Sequence, residues 1–352
     1  MRVGLDATPL LGTLTGIGRY TARLLEHLAP GPDDLVATAF TIRRRDALAQ
    51  QVPAGVQVAH RPAPARLLQQ LWMRGEWPPV ELLAGRMDVF HATNYVLPPL
   101  RRAAGVVSVH DLAYLRLTDT VDATSARFRA LVPRSIRRAG AVLTLSQAVA
   151  DQIQEAYAPS VPVVPVPLGV AGAWFDAKPS EQVRARYGLP SEYVLFVGTL
   201  EPRKNLGTLL AAHALLPDAP PLVLVGASGW GEQVDLTGCL TPGYMQDADL
   251  HSVVAGAAAL VLPSRDEGFG LTVIEALAAG TPVVASDLPV LREVGGDVVT
   301  YAAAGDPPAF ADALARVLAD PGDRLARQAR ARMFTWERTA ALTREVYASV
   351  CA

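Results

Sequence analysis

Cysteine and lysine are the scarcest chemically active residues in this chain. Cys239 and Cys351 are the only two cysteines among 352 residues. Two thiols so far apart in sequence exclude a disulfide framework and a cysteine-based zinc site, and they fit a reducing, cytoplasmic compartment. There are two lysines against 30 arginines, the pattern of a codon bias, so a lysine that survives it is a candidate for a specific role, and Lys204 is one of the two. Long hydrophobic runs are also missing. The longest, Val253–Leu262, has ten residues, about half of what a membrane-spanning helix needs. Asp6 interrupts the apolar stretch near the N-terminus, so no signal-peptide core is expected. A net charge of −2 argues against a nucleic-acid binder.

What is present is enough apolar residue, 50% against 19% charged, to bury large cores. At about 150 residues per domain the length predicts two domains. Charge divides unevenly between them. Residues 1–170 carry 18 Arg, no Lys and 13 acids, a balance of +5, and residues 171–352 carry 12 Arg, two Lys and 21 acids, a balance of −7. A basic half beside an acidic half is compatible with an anionic partner for the first half, and equally with two ordinary surfaces.

Short β-rich runs alternate with helical segments. They are Val3–Ala7, Val36–Ile42, Val56–His60, Asp88–His91, Val106–His110, Val142–Leu145 and Val163–Pro167, then Tyr193–Gly198, Leu222–Gly226, Ala259–Pro263, Pro282–Ser286 and Val298–Tyr301. Nearly all are continuously apolar, as expected of parallel strands covered on both faces. The predicted class is α/β with two doubly wound, Rossmann-like parallel sheets. The proline- and glycine-rich stretch Pro165–Pro190 reads as a linker, placing the domains at 1–170 and 171–335, with a closing helix in 336–352.

In open α/β sheets ligands bind beyond the carboxyl ends of the strands. The segments that follow the strands are Gly12 to Tyr20, His91-Ala-Thr-Asn94, His110-Asp111, Ser146, Gly198-Thr199-Leu-Glu201-Pro-Arg203-Lys204-Asn205, Gly226 to Gly231, and Ser264-Arg-Asp-Glu267-Gly268-Phe-Gly270. Glycines and polar groups gather at one edge of both predicted sheets, so a ligand cleft between the domains is expected.

The most informative element is Glu267-Gly-Phe-Gly-Leu-Thr-Val-Ile-Glu275, two glutamates eight apart. Gly268 and Gly270 permit close backbone approach to a ligand. A helix predicted over Leu271–Ala279, stopped by Gly280 and Pro282, would present free N–H groups to a phosphate or sugar oxygen. Glu275, one turn in, suits a diol such as a ribose, and it suits helix-dipole compensation equally. The adjacent cations Arg203 and Lys204 suit a diphosphate, with a solvated loop pair as the plain alternative. Asp247-Ala-Asp249 reads as a helix start rather than a metal pair. Gly16-x-Gly18 lacks the third glycine of a dinucleotide fingerprint, because position 21 is Thr. Arg127, Arg129, Arg134, Arg137 and Arg138 form a basic stretch whose plain reading is a solvated helix face and whose functional reading is peripheral contact with the inner face of a membrane.

Together these motifs resemble the family 4 retaining glycosyltransferases (glycosyl transferases group 1) of the GT-B fold. The carriers of the resemblance are the Glu-x7-Glu element, the Gly198–Asn205 turn, Ala278–Asp287, Gly16-Ile-Gly-Arg-Tyr20, Val89–Asn94, Ser108–Leu112 and Leu143–Ser146. They cover almost the whole chain in the family's order, and the Gly198–Asn205 turn is most similar to bacterial mannosyltransferases of surface-polysaccharide assembly. The resemblance implies an acceptor-binding first domain, a nucleotide-sugar-binding second domain and a final helix that crosses back to the first. It implies Glu275 on the donor ribose and Glu267 on hydroxyls of the transferred sugar, with the backbone of Gly268, Phe269, Gly270 and Leu271. It places Arg203 and Lys204 at the diphosphate with Thr199 nearby, His110 at the reacting centre with Asp111 in support, and Gly16 near the phosphates. Acceptor-side candidates are Asp111, His91, Asn94 and Arg19, although a core role for His91 is an equal alternative.

Two positions depart from the family. Thr199 stands where many relatives have arginine, and Thr272 where many have proline. The resemblance implies a nucleotide-sugar co-substrate, with GDP-mannose favoured and a UDP-sugar as alternative, a glycan, lipid-linked or small-molecule acceptor, no metal, no further cofactor and no side-chain nucleophile. A nucleotide-sugar epimerase of the same fold and a non-catalytic nucleotide-sugar-binding subunit are the alternatives in function.

Overall fold

The computed structural model describes all residues except 13–15, 43–44, 60, 62–63, 117–122, 228 and 230–233, and it describes no side chains at 45–46 and 123–126. The chain divides into two compact units, Met1–Gly169 with Trp336–Ala352, and Val170–Thr335.

The first unit is built on seven strands, β1 (Arg2–Asp6), β2 (Asp34–Thr38), β3 (Gln57–Val58), β4 (Val89–Ala92), β5 (Ala104–Ser108), β6 (Ala141–Thr144) and β7 (Val163–Pro165). They form one parallel sheet in the order β3-β2-β1-β4-β5-β6-β7. Order reverses between β1 and β4, which makes their carboxyl ends the topological switch point. Helices α1 (Gly16–Leu28), α2 (Arg45–Ala49), α3 (Ala65–Arg74), α4 (Glu81–Ala84), α5 (Ala113–Arg116), α6 (Ala123–Arg138) and α7 (Gln147–Tyr157) connect the strands. Apolar strand residues such as Val3, Leu5, Phe90 and Val107 are fully buried, as continuous apolar runs require.

The second unit repeats the plan with β8 (Val194–Val197), β9 (Leu222–Val225), β10 (Leu240–Gly243), β11 (Ala259–Leu262), β12 (Val283–Ser286) and β13 (Thr300–Ala302). Their order in the parallel sheet is β10-β9-β8-β11-β12-β13. Its helices are α8 (Glu181–Tyr187), α9 (Leu206–Ala214), α10 (Asp247–Ala255), α11 (Leu271–Ala279), α12 (Pro289–Gly295), α13 (Pro307–Ala319) and α14 (Arg324–Ala331). Phe196, Leu209, Leu224, Val261, Phe310 and Leu314 share one core cluster between sheet and helices.

The last helix, α15 (Trp336–Cys351), belongs to the first unit and packs on α1, β4 and β5. Arg344 donates to the carbonyls of His27 (3.0 Å) and Leu28 (2.9 Å), closing the end of α1, and Thr339 donates to the Pro167 carbonyl (2.7 Å).

Three sequence readings are corrected. Pro165–Pro190 is not a bare linker. It contains α8, whose N-cap Ser180 accepts from the Val183 amide and whose C-cap Gly188 is left-handed, and it buries Leu168, Val170 and Trp174. Strand β10 was missed because Leu-Thr-Pro-Gly at the sheet edge is half exposed and carries no apolar run. The basic stretch is not one free face, because Arg138 turns inward from α6. It pairs with Glu76 (2.7 Å) and donates to the carbonyls of Leu97, Trp72 and Gly75, tying α6 to the end of α3. Arg129 likewise donates to the Tyr114 carbonyl. His60, at the end of a predicted run, and Thr13–Thr15 of the first glycine-rich loop lie outside the described residues, as do Ser228, Trp230 and Gly231. Among the described residues no helix is long and apolar enough to cross a membrane.

Candidate active site

The second unit gathers its functional side chains beyond the carboxyl ends of β8 and β11. The turn after β8 begins at Gly198 (φ +157°) and runs through Glu201 to a single helical turn that carries Arg203 and Lys204. Asn205 closes it in the left-handed region (φ 55°) and reaches across with Nδ2 to the Pro263 carbonyl (3.2 Å), anchoring this turn to the one after β11. Arg265 N–H on the Arg203 carbonyl (2.8 Å) adds a second tie. The two loops are thereby registered against each other by backbone and amide bonds, independent of any charge.

Glu267 is the centre of the resulting cluster. Its Oε1 receives Lys204 Nζ at 2.7 Å and the Ser264 hydroxyl at 2.6 Å, and its Oε2 receives Arg203 at 3.2 Å. Arg203 is shared with Glu201 (2.7 Å) and also donates to the Asp266 carbonyl (2.9 Å). Burial alone would raise the Glu267 pKa. The charges of Lys204 and then Arg203, with the Lys204 and Ser264 hydrogen bonds, outweigh it and hold the carboxyl at about 2. At any working pH Glu267 is therefore an anion that only accepts hydrogen bonds, which removes it as a general acid.

Helix α11 starts directly after this loop. Its cap, Gly270, has φ 91° and no side-chain cap, and a Cβ there would lie 2.6 Å from Leu291 Cδ2, so both backbone and packing require glycine. Leu271 and Thr272 are half buried at the first turn, and Glu275 lies one turn on, buried among the apolar residues of the helix. Phe269 is in contact with Phe334 (ring centroids 5.7 Å) and 4% exposed, so its side chain belongs to the core and only its backbone faces the loop. Thr199 is half buried, and its carbonyl accepts from Glu201 N–H (2.9 Å). Gly226 and Gly229, after β9, serve packing. A Cβ on Gly226 would meet the Gly198 carbonyl oxygen at 1.9 Å, and one on Gly229 the Leu200 oxygen at 2.1 Å. Asp247 and Asp249 sit in the first turn of α10, and Asp249 accepts from Arg186 (2.8 Å) and Tyr187 (2.9 Å).

In the first unit, His110 follows β5 and is buried. Its Nε2–H donates to the Thr93 carbonyl (2.7 Å), leaving Nδ1 as the acceptor of the neutral ring. Burial lowers its pKa, against the raising effects of the Thr93 carbonyl and of Asp111, so the ring is neutral. The rings of Tyr20 and Tyr95 hold it edge-on at 5.1 and 5.4 Å. Asp111 Oδ1 accepts from the Ala113 amide (3.1 Å) and so caps α5. Asn94 is half buried, and its Oδ1 is enclosed without a hydrogen-bond partner. Gly16 is exposed at the start of α1, and Arg19 is half buried one turn on.

His91 is corrected. It is fully buried in β4, with Nδ1 on the Tyr347 hydroxyl (2.7 Å) and Nε2 on the Ser108 hydroxyl (2.8 Å), so neither nitrogen is available to an acceptor. Sequence reasoning overlooked Ser264 and Glu201, although both lie within quoted motifs. It also overlooked Tyr20, which closes the quoted Gly16–Tyr20 motif, and Tyr95, which directly follows the quoted Val89–Asn94 motif.

Comparison with known proteins gives the family and the fold. Residues 15–169 match the family model described as glycosyl transferase 4-like domain, and residues 180–333 match glycosyl transferases group 1. The chain is 28% identical to the O-antigen chain mannosyltransferase B of Escherichia coli, covering 99% of each sequence. Among solved structures, the sucrose-phosphate synthase of Thermosynechococcus elongatus superposes with a TM-score of 0.77 at 20% identity, covering 99% of both chains. Anabaena HepE, solved in complex with UDP and glucose, gives 0.72 at 19% identity, again covering 99% of both. With two matched regions in family order and two parallel Rossmann-like sheets, the chain belongs to the glycosyl transferases group 1 and is a glycosyltransferase of the GT-B fold.

Proposed function

We propose that this protein is a retaining hexosyltransferase that takes its sugar from a nucleoside-diphosphate donor held by the second unit, with GDP-mannose the favoured donor. The observation that carries the reading is the Lys204–Glu267–Arg203 cluster at the start of α11, with Glu275 one turn further on. The mannosyltransferase relative supports mannose as the sugar, and the UDP complex of Anabaena HepE supports a nucleoside diphosphate in this fold.

In the proposed reaction the bond between the anomeric carbon and the donor phosphate breaks. A new bond forms to an acceptor hydroxyl on the same face of the sugar. The hydroxyl proton passes to the departing phosphate. Positive charge develops on the sugar and negative charge on the diphosphate. Lys204, Arg203 and the first backbone N–H groups of α11 are assigned to the diphosphate, where fixed cations and dipoles act with little reorganisation. Glu267, permanently ionised, holds sugar hydroxyls, and Glu275 holds the ribose. Glu267 also fixes both cations in advance, so their rotamers need no ordering when donor arrives. Neutral His110 is assigned to the reacting sugar, with Asp111 and Asn94 on the acceptor side. The enclosed Asn94 Oδ1 is the acceptor-side atom most in need of a donor.

The test is release of nucleoside diphosphate from GDP-mannose, UDP-glucose and ADP-glucose, with and without a mannan or lipid-linked acceptor. Acceptor-dependent release from one donor, with retained anomeric configuration in the product, is the expected result. Free sugar formed equally well without any acceptor would move the reading to an epimerase.

A further inference from the structure

Four buried polar groups of the first unit form a chain that no catalytic role uses. The Tyr347 hydroxyl of α15 meets His91 Nδ1 at 2.7 Å, His91 Nε2 meets the Ser108 hydroxyl at 2.8 Å, and Ser108 meets the Tyr20 hydroxyl at 2.9 Å. The Tyr20 ring then lies edge-on to His110, 5.1 Å between centroids. All four members are buried, His91 and Tyr347 completely. Burial pushes the His91 pKa down to about 3 and that of Tyr347 far up, so the chain is uncharged.

A neutral imidazole has one donor nitrogen and one acceptor nitrogen. One of its two hydroxyl partners must therefore donate and the other accept. When Tyr347 donates to Nδ1, Nε2–H donates to Ser108, whose own proton is then available to Tyr20. In the opposite polarity Ser108 spends its one proton on Nε2, so Tyr20 must donate to Ser108 and His91 to Tyr347. Bonds that share one direction along the chain reinforce one another. Removing the end hydroxyl leaves His91 free to change tautomer and leaves Ser108 without a fixed role towards Tyr20. The chain meets His110 through the Tyr20 ring, so an effect along it reaches His110 as ring position.

We propose that Tyr347 is a positioning residue for His110, acting through His91, Ser108 and Tyr20. This rests on the reading of His110 as the group beside the reacting sugar. It assigns the crossover helix a part in the chemistry beyond closing the first unit.

The test uses the full chain labelled with 15N-histidine. Tyr347→Phe keeps the ring and removes the hydroxyl. Ser108→Ala cuts the same chain at its middle and serves where Tyr347→Phe does not fold. Thr343→Val removes another buried hydroxyl of α15, one bonded only to the Thr339 carbonyl, and is the control for general loosening. The expected result is a shift of the His110 ring signals in both relay variants and none in the control. With it comes a fall in kcat of about tenfold at unchanged donor KM, less than the ~10²-fold that a full ångström of misplacement costs. Unmoved His110 signals in a folded relay variant, or an equal kcat loss in Thr343→Val, would overturn the proposal. A wild-type protein that transfers no sugar would overturn the reading of the reaction instead. The ring signals need no turnover and would still decide the relay.

Discussion

Two buried polar clusters, one in each unit, are held by opposite means. At the carboxyl edge of the second sheet the groups are ions, with Glu267 and Glu201 set against Lys204 and Arg203 within 2.7 to 3.2 Å. In the first unit the cluster is neutral, with His91, His110, Tyr20 and Tyr347 linked by hydroxyls, a carbonyl and ring edges. The carboxylates make the contrast sharpest. Glu267 lies next to two cations and its pKa falls to about 2, whereas Asp6, at the end of β1, is buried away from cations and its pKa rises to about 6. Burial acts the same way on both, and only the neighbours differ. The ionic cluster keeps its carboxylates and cations in place by charge, whereas the neutral groups are fixed by directed hydrogen bonds and carry none.

The largest way to break this contrast is Glu267→Ala. It strands Lys204 and leaves Arg203 to Glu201, and truncating one partner of a buried ion pair costs about 3–5 kcal/mol. Urea unfolding should show that loss, and a change below about 1 kcal/mol would mean the cluster is solvated.

Acid titration separates the two carboxylates next. Glu267 has a depressed pKa, so its contribution, about 3 kcal/mol, is complete above pH 4.5 and is lost as pH falls towards 2. Asp6 has the opposite sign. Its stabilisation is complete below its unfolded value of 3.8 and is lost as pH rises through about 6. Glu267→Gln should therefore differ from the wild type by an amount that shrinks between pH 4.5 and 2. Asp6→Asn should remove a decline in stability between about pH 4 and 6. Parallel curves for wild type and either variant would contradict the assignment.

Lys204→Ala should cut turnover at least tenfold with the fold retained, because Arg203 and Ser264 still hold Glu267. Loss of one group stabilising a leaving anion typically costs about 10²–10³ in rate. Initial rates beside a thermal melt check both halves of that statement. The smallest effect is expected in the neutral unit. Tyr347→Phe strands no charge and should cost about 1–3 kcal/mol, the range for one buried group left without its partner. A loss as large as that of Glu267→Ala would erase the contrast.

Much of the donor side was legible because its residues lie in short contiguous motifs. Arg203 and Lys204 share one turn, and Ser264, Glu267 and Gly270 share another, each at the end of a continuously apolar strand. Their pairing was not legible, since Lys204 and Glu267 are 63 residues apart and both read equally well as ligands for something else. His91 was harder still. Its partner Tyr347 lies 256 residues away on a helix of a different segment, so its burial has no local signature. The fold followed the same division. Strands buried on both faces announced themselves by apolar runs, while edge strand β10 did not. Helix α8 was hidden among prolines, although its Ser180 and Gly188 caps were readable. The tight backbone packing at Gly226 and Gly229 is a contact between loops and leaves no pattern within either one.

The central claim is that the second unit binds a nucleoside diphosphate through Lys204 and its partners. Thermal stabilisation by GDP, UDP, ADP and NAD, each in excess, measured on wild type and Lys204→Ala, tests it most directly. A ligand at 100 times its Kd adds about 2.7 kcal/mol to the folded state, enough to raise Tm by several degrees. The account predicts a selective rise with one diphosphate that shrinks in Lys204→Ala. No rise with any diphosphate, or a rise with NAD alone, would contradict it.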